Sequence, residues 1–122
     1  MVKVLIVDDL PFMREAIREI LEINGIKVIG EGENGEHGVR LYFERKPDIV
    51  IMDITMPVLD GIRALARIRK ADPRAVVIMC SAMGQQEYVI RSIQLGARDF
   101  VVKPFRPERI VSAVRKASRA HA

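Results

Sequence analysis

This sequence has little cysteine and no long apolar segment, and both scarcities limit what the protein can be. Cys80 is the only cysteine among the 122 residues, so no disulfide can form within the chain. It lies in the apolar segment VVIMCS, which is typical of a small core residue. The apolar runs are too short to cross a membrane, and acidic residues follow the first of them at once, so we expect no signal peptide. These features favour a protein of the reducing cytoplasm.

Low-complexity tracts, linker-like stretches and internal repeats are also missing. With 122 residues, of which 49% are hydrophobic, the chain has the size and composition of one domain, 1–122. Its net charge of +4 would allow contact with nucleic acid. However, the basic residues are spread over several segments without a run of five, which is more typical of solvated helix faces. We therefore expect one globular domain that neither binds nucleic acid directly nor enters a membrane.

Short apolar runs alternate with longer amphipathic segments along the whole chain. The predicted strands are 2–7, 27–30, 48–52, 75–80 and 99–102. Most are continuous runs of Val, Ile and Met without polar alternation, which is typical of strands covered on both faces. Helical periodicity predicts helices over 11–24, about 35–45, from 60 onward, about 86–95 and after 107. This βαβαβαβαβα order predicts a parallel five-stranded sheet with helices on both faces.

Apolar residues at helical spacing indicate which helix faces should be buried. They are Met13, Ala16, Ile17, Ile20 and Leu21 in the first helix, Val39, Tyr42 and Phe43 in the second, Ile62, Leu65 and Ile68 in the third, Val89, Ile90 and Ile93 in the fourth, and Ile110, Val114 and Ala117 in the fifth. Asp60 is a natural N-cap for the third helix. His37 and His121 lie in polar or terminal sequence, so we expect both to be exposed and without a role.

Polar residues stand at the ends of four of the five predicted strands. Strand one ends in Asp8 and Asp9, strand three in Asp53, strand four in Ser81 and strand five in Lys103. Sites in open α/β sheets form outside the carboxyl ends of the strands, where all these residues should meet. Each alone would be explained as a cap, a turn residue or a solvated side chain, but their joint occurrence favours a common site.

Physical chemistry limits what this cluster can do. Two carboxylates roughly 5 Å apart repel by about 3 kcal/mol at an effective dielectric near 20, so three of them either raise a pKa or attract a cation. The ligands are hard oxygens, which favours Mg²⁺, with Mn²⁺ as an alternative, over zinc or copper. Lys103 adds a positive charge and Ser81 a short donor. Such a set can stabilise a phosphoryl group, and one carboxylate can accept it as an aspartyl phosphate.

Four segments together resemble the receiver domains of bacterial two-component response regulators: LIVDD, PDIVIMDITMPVLDG, VVIMCSA and GARDFVVKPF. The resemblance covers essentially the whole chain, and SAMGQQ is most similar to stand-alone chemotaxis receivers. It implies an α/β fold, a (βα)5 doubly wound, flavodoxin-like parallel sheet with strand order 2-1-3-4-5. It also implies a phosphoacceptor switch rather than an enzyme. The expected partners are a histidine kinase (CheA-like), a downstream target such as a flagellar motor switch protein, and a phosphatase.

The same resemblance implies roles for the acidic residues and the loop after strand three. Asp53 matches the phosphoacceptor and is the third carboxylate of the metal site. Asp9 matches a direct Mg²⁺ ligand, and Asp8 matches a residue that helps through water. The backbone carbonyl of Thr55 matches the remaining protein ligand. Thr55 occupies a position that often carries Asn in the family, where the side chain tunes the rate of dephosphorylation.

Further roles follow for residues of the fourth and fifth strands. Lys103 resembles the residue that pairs with the phosphoryl group, and Ser81 resembles the hydroxyl that moves toward it. Phe100 matches the aromatic switch, but it lacks the hydroxyl of the tyrosine found in many chemotaxis receivers. The bond between Lys103 and Pro104 matches one that is cis in the family. The expected output surface is the fourth helix, fifth strand and fifth helix, whose arginines would suit either an acidic partner or plain solvation.

Other functions fit the sequence less well. A receiver fragment of a DNA-binding regulator and a phosphorelay intermediate share the same motifs and stay open, although the chain ends directly after the fifth helix and we expect a lone monomeric receiver. A haloacid dehalogenase-like phosphatase commonly needs a second Asp at the position of Thr55. Flavin binding needs a loop rich in glycine and hydroxyls after strand one, where the segment DDLP carries the wrong charge.

Overall fold

Five strands alternate with five helices in the computed structural model, which describes residues 1–121. They are β1 Lys3–Val7, α1 Pro11–Ile23, β2 Lys27–Gly32, α2 Gly35–Arg45, β3 Ile49–Asp53, α3 Gly61–Ala71, β4 Val77–Ala82, α4 Gln86–Gln94, β5 Asp99–Lys103 and α5 Pro107–His121. Every predicted element is present, and the predicted bounds differ by at most two residues. The predicted domain end at residue 122 and the side chain of His121 lie outside the described residues.

The strands form one parallel sheet in the order β2-β1-β3-β4-β5, which confirms the predicted doubly wound α/β fold. Successive residues of a strand point to opposite faces, and the core is accordingly split in two. Val4 and Ile6 of β1 pack toward α1 and α5, whereas Leu5 and Val7 pack toward α2 and α3. Among the described residues, no helix is both long and apolar enough to cross a membrane.

The predicted buried face of α4 is wrong. Ile90 and Ile93 are 57% and 52% exposed, while Ser92 is completely buried. The Ser92 hydroxyl donates a hydrogen bond to the Tyr88 carbonyl at 2.8 Å, which satisfies it within the helix. With Ser92 and Val89 on the side that faces the sheet, the neighbouring stripe of isoleucines is turned to solvent.

Two expectations for α2 also fail. Phe43 is 43% exposed rather than buried, because Tyr42 fills the core position and Phe43 packs edge-on against its ring, with the centroids 5.1 Å apart. His37 is partly buried rather than exposed, and its Nδ1 accepts a hydrogen bond from the Glu33 backbone N–H at 3.1 Å. His37 therefore helps to fix the turn between β2 and α2.

The start of α3 is fixed by two adjacent residues. Asp60 caps the helix as predicted, because its Oδ1 accepts a hydrogen bond from the Arg63 backbone N–H at 2.9 Å. No residue with a side chain fits at Gly61, since a Cβ at this position would lie 1.9 Å from the Asp53 carbonyl oxygen. The close approach of Gly61 holds α3 against the end of β3, and so it shapes the loop that follows Asp53.

The same loop contains a strained residue, Val58, with φ of +68°. The Leu59 N–H donates to the Pro57 carbonyl at 2.7 Å, so Val58 is the centre of a three-residue turn with positive φ, which is rare and unfavourable for a β-branched residue. Its side chain is 75% exposed, so packing contributes little. We expect Val58→Asn to raise the free energy of unfolding by about 1 kcal/mol, because Asn tolerates this conformation.

Urea unfolding measures this change, and Val102→Asn is the control. Val102 is also exposed, but it lies in β5, where Asn is unfavourable, so this variant should lose stability. A Val58→Asn variant no more stable than the wild type would show that the positive φ carries no cost.

Candidate functional site

Three carboxylates meet at the carboxyl edge of the sheet, as the sequence predicted. Because β1 and β3 are neighbours, Asp8 and Asp9 lie beside Asp53, and one oxygen from each lies within 4.8 Å of the others. Asp8 is 1% exposed, and Asp9 and Asp53 are partly buried. The buried apolar residues of β1 continue directly into this acidic cluster.

Local hydrogen bonds hold the first of these acids in place. Asp8 continues the sheet, because its N–H donates to the Gly32 carbonyl at 3.1 Å, and its Oδ1 accepts from the Leu10 N–H at 3.0 Å. Arg14 donates from Nη1 to the Asp8 carbonyl at 2.7 Å and from Nε to Glu31 at 3.2 Å. The sequence analysis missed Arg14, since nothing in its spacing indicates that α1 turns it toward β1 and β2.

Lys103 lies between two of the acids. Its Nζ donates to Asp8 Oδ2 at 2.9 Å and to Asp53 Oδ1 at 3.2 Å. The side chains are 18% exposed for Lys103 and 12% for Asp53, so water screens these ion pairs only weakly. Three carboxylates face one ammonium here, so two negative charges remain uncompensated when all groups are ionised.

Burial and charge shift the protonation of the site. Burial raises the pKa of Asp53 to about 6; the Lys103 ammonium opposes this effect, and the Asp8 and Asp9 charges add to it. Burial lowers the pKa of Lys103, but its hydrogen bond to Asp8 and the charges of Asp53 and Asp8 outweigh burial, so the net pKa is raised. Lys103 therefore stays charged, and Asp53 is a carboxylate whose ionised form is destabilised by its surroundings.

The donor set fits a hard divalent cation. The cluster consists of carboxylate oxygens only, which Mg²⁺ and Mn²⁺ prefer. Cys80 pairs with Asp53 in the sheet, but burial raises the pKa of its thiol to about 12, so it stays protonated and is a core residue as predicted. The excess negative charge and the hard ligands thus favour a magnesium-like ion over zinc.

Ser81 lies near the end of β4, and Thr55 lies in the loop that follows β3. Ser81 is 1% exposed, and its Oγ is a buried side-chain atom for which the described residues supply no hydrogen-bond partner. Thr55 is exposed, two residues beyond Asp53, and its Oγ1 accepts a hydrogen bond from Gln85 Nε2 at 2.9 Å. Gln85 is a second residue that the sequence analysis missed, although it lies in the SAMGQQ segment.

Phe100 and the loop after β5 complete the predicted set. Phe100 is partly buried and packs against the core cluster on the α2 and α3 side of the sheet. Its carbonyl accepts a hydrogen bond from Arg109 at 2.7 Å, which ties α5 to β5. The bond between Lys103 and Pro104 is cis, as the resemblance implied.

Known proteins are similar to this chain in sequence and in fold. The family model of the response regulator receiver domain matches residues 4–115. The chain therefore belongs to the response regulator receiver domain family, a class of signalling switches in two-component systems. Within that family it is similar to the chemotaxis regulators of the CheY type.

The relatives that support this assignment cover nearly all of the chain. The chemotaxis protein CheY of Bacillus subtilis is 54% identical over 93% of this chain and 95% of its own length. CheY of Thermotoga maritima is 54% identical over 96% of this chain and 98% of its own length. Among solved structures, CheY in the CheX–CheY–BeF3–Mg²⁺ complex of Borrelia burgdorferi is 36% identical, with a TM-score of 0.91 over 96% of this chain and 89% of that one.

Proposed function

We propose that residues 1–122 form a single receiver domain that takes a phosphoryl group from a CheA-like histidine kinase onto Asp53. The observation that carries the proposal is the position of the Asp53 carboxylate, which accepts a hydrogen bond from the Lys103 ammonium and lies within 4.8 Å of carboxylate oxygens of Asp8 and Asp9. The Asp53 side chain is 12% exposed, so it is more buried than a surface charge yet remains open to a small phosphodonor.

In the proposed reaction, an Asp53 oxygen attacks the phosphorus of a phosphohistidine. The new phosphorus–oxygen bond forms as the phosphorus–nitrogen bond breaks, and the imidazole leaves with the electron pair. At pH 7 the carboxylate is mostly ionised, because its pKa is about 6. Lys103 holds Oδ1, leaving Oδ2 without that contact, and its ammonium can neutralise charge on the phosphoryl oxygens. Attack by water on the acyl phosphate later restores Asp53.

The metal ligands in this proposal are Asp8, Asp9, Asp53 and the backbone carbonyl of Thr55, with Asp8 acting through water. When bound, Mg²⁺ (or Mn²⁺) would supply positive charge that offsets the phosphoryl oxygens. The three carboxylates hold two uncompensated negative charges for it. The protein assists its own phosphorylation in this way, and the group that is modified is its own Asp53 side chain, so we propose a switch rather than an enzyme.

Phosphorylation changes Asp53 from a charge of −1 to a group nearer −2 with more acceptor oxygens. Ser81, whose buried hydroxyl has no hydrogen-bond partner among the described residues, and Lys103 are placed to respond. Each leads into a loop, so we propose a population shift of the segment after β4 and of Phe100. The readout surface is α4, β5 and α5, where Ile90 and Ile93 are exposed.

The proposed partners follow from this surface and from the relatives. A downstream target such as a flagellar motor switch protein would bind α4, β5 and α5, and an acidic segment would suit the arginines there. CheX binds CheY in the solved Borrelia burgdorferi complex, which supports a partner of that kind here, and a phosphatase that resets the switch is part of the proposal. We further propose that the protein is a monomer. We also propose that it is located in the cytoplasm, because a single buried thiol fits a reducing compartment.

Intact-mass spectrometry after incubation with acetyl phosphate and Mg²⁺ tests the phosphoacceptor. We expect an adduct of about 80 Da on the wild type, the mass of one phosphoryl group, and at least a tenfold smaller adduct on Asp53→Asn. Asp48→Asn, the same change at the opposite end of β3, should keep the adduct, and EDTA should suppress it in the wild type. An undiminished adduct on Asp53→Asn would refute the assignment.

A further inference from the structure

One side chain, that of Gln85, joins the two loops that flank Asp53. Its Nε2 donates to Thr55 Oγ1 at 2.9 Å, in the loop between β3 and α3. Its Oε1 accepts a hydrogen bond from the Ala82 backbone N–H at 2.7 Å, at the end of β4. The amide thus connects the end of β4 to a loop that lies 30 residues before Gln85 in the sequence. We call this pair of hydrogen bonds the Gln85 clasp.

Chemistry fixes the orientation of this amide. A backbone N–H can only donate, so the oxygen of Gln85 must face Ala82 and the nitrogen must face Thr55. The Gln85 backbone meanwhile begins α4, because its carbonyl accepts from the N–H groups of Tyr88 and Val89. The clasp therefore couples the start of α4 to both loops at once.

The two hydrogen-bond partners of Gln85 lie next to residues of the proposed phosphorylation site. Thr55 is two residues beyond Asp53, and Ala82 directly follows Ser81, whose buried hydroxyl has no hydrogen-bond partner in the part of the chain that the structure describes. The sheet register pairs Ala82 with Lys103, the residue that binds Asp53. The Ala82 N–H is therefore a donor at the edge of the sheet where a phosphoryl group would arrive, and Gln85 occupies it.

We propose that Gln85 is a positioning residue that fastens the two loops while Asp53 is unmodified, and that an incoming phosphoryl group displaces it from the Ala82 N–H. This inference rests on the proposed function of Asp53. Displacement frees α4 from the loop after β3, which links the chemistry at Asp53 to the exposed face of α4. Breaking the bond between Gln85 and Ala82 is thus part of the energy barrier to phosphorylation. The same bond also restrains α4, which belongs to the proposed readout surface.

The size of the effect follows from the strength of the bonds. A neutral hydrogen bond contributes about 0.5–1.5 kcal/mol net, relative to one made with water. Removing the clasp should therefore raise the rate of adduct formation on Asp53 about 2- to 10-fold. A residue with a merely structural role would not behave in this way, because its loss would lower stability without raising the rate.

The test compares Gln85→Met with Gln86→Met. Methionine has a similar length and cannot form either bond, and Gln86 is the next residue, exposed on the same helix. The first measurement is hydrogen exchange of the Ala82 amide by NMR, without a phosphodonor. The second is the rate of adduct formation with acetyl phosphate. Thr55→Val, alone and combined with Gln85→Met, tests whether the two side chains act through each other.

We expect faster Ala82 exchange and a 2- to 10-fold faster adduct in Gln85→Met, with neither change in Gln86→Met. Thr55→Val should alter the rate less when Gln85 is already replaced. Unchanged Ala82 exchange would overturn the clasp, and an unchanged or slower adduct would overturn its role in the barrier. A wild type that forms no adduct, with Ala82 exchange still faster in Gln85→Met, would refute the proposed function while the clasp remained.

Discussion

Replacing Lys103 by methionine is expected to lower the free energy of unfolding by about 3 kcal/mol at pH 7 in metal-free buffer. The Lys103 ammonium is hydrogen-bonded to Asp8 and Asp53, both largely buried. Methionine keeps most of the side-chain volume but removes the charge. Two nearly buried carboxylates would then face each other and Asp9 without a counter-charge, which is more costly than loss of a surface ion pair.

The loss should depend on pH in a direction that identifies its cause. Burial already raises the pKa of Asp53 to about 6, and removal of Lys103 raises it further. An acid whose folded pKa exceeds its unfolded value binds more protons when folded, so stability rises as pH falls through the folded pKa. The deficit of Lys103→Met should therefore shrink between pH 7 and pH 5.

Urea unfolding at both pH values measures this deficit, with Lys70→Met as the control. Lys70 is exposed on α3, so its replacement should change stability little at either pH. A Lys103→Met variant as stable as the Lys70→Met variant at pH 7 would show that the ammonium does not compensate the buried acids.

Replacing Asp53 by asparagine should have the opposite effect and stabilise the metal-free protein by about 2 kcal/mol at pH 7. The pKa of Asp53 rises from 3.8 to about 6 on folding, which corresponds to about 3 kcal/mol of cost for its ionised form. Asparagine is nearly the same size and carries no charge, and Lys103 keeps its bond to Asp8. Some of the gain is lost because the amide must also be hydrogen-bonded.

The pH dependence of the stability difference between Asp53→Asn and the wild type tests the same cause. The folded pKa of Asp53 is raised, so the wild type loses stability as pH rises from about 4 to about 6. The gain of Asp53→Asn should be small at pH 4, increase over this interval and stay constant above it. Asp48→Asn, at the far end of the sheet, should show no such profile in the same thermal or urea measurements. A stability loss in Asp53→Asn at pH 7 without metal would contradict the proposed charge repulsion.

Together the two variants separate the function of the site from the stability of the fold. Burial and the neighbouring acids disfavour the ionised form of Asp53, and the hydrogen bond from Lys103 offsets only part of this effect. If stability alone mattered, apolar residues at these positions would be as good or better, because buried charges are costly to desolvate. Retaining it is expected when the excess negative charge has a use, and a divalent cation beside a phosphoacceptor is the use that we propose.

Much of this protein was predictable because its local signals agree with one another. The runs around Ile6, Ile51 and Ile78 are short, continuous and apolar, which is typical of strands covered on both faces, and all three are buried in the core. Pro11 and Asp60 begin α1 and α3 where their chemistry places them. Once the strands are parallel, their polar ends must share an edge, so the acids after β1 and β3 could be assigned to one site.

What the sequence determined by itself was the order of the elements, the class of fold and the residue types at the edge of the sheet. Only the tertiary structure decided that Lys103 bridges Asp8 and Asp53, that Gln85 reaches Thr55, and that Ile90 and Ile93 face solvent. The physical reason is the distance along the sequence over which each kind of interaction acts. Periodicity and capping depend on neighbours within about four residues along a helix, whereas these contacts depend on how separate elements pack, which fixes side chains that are 30 to 95 residues apart.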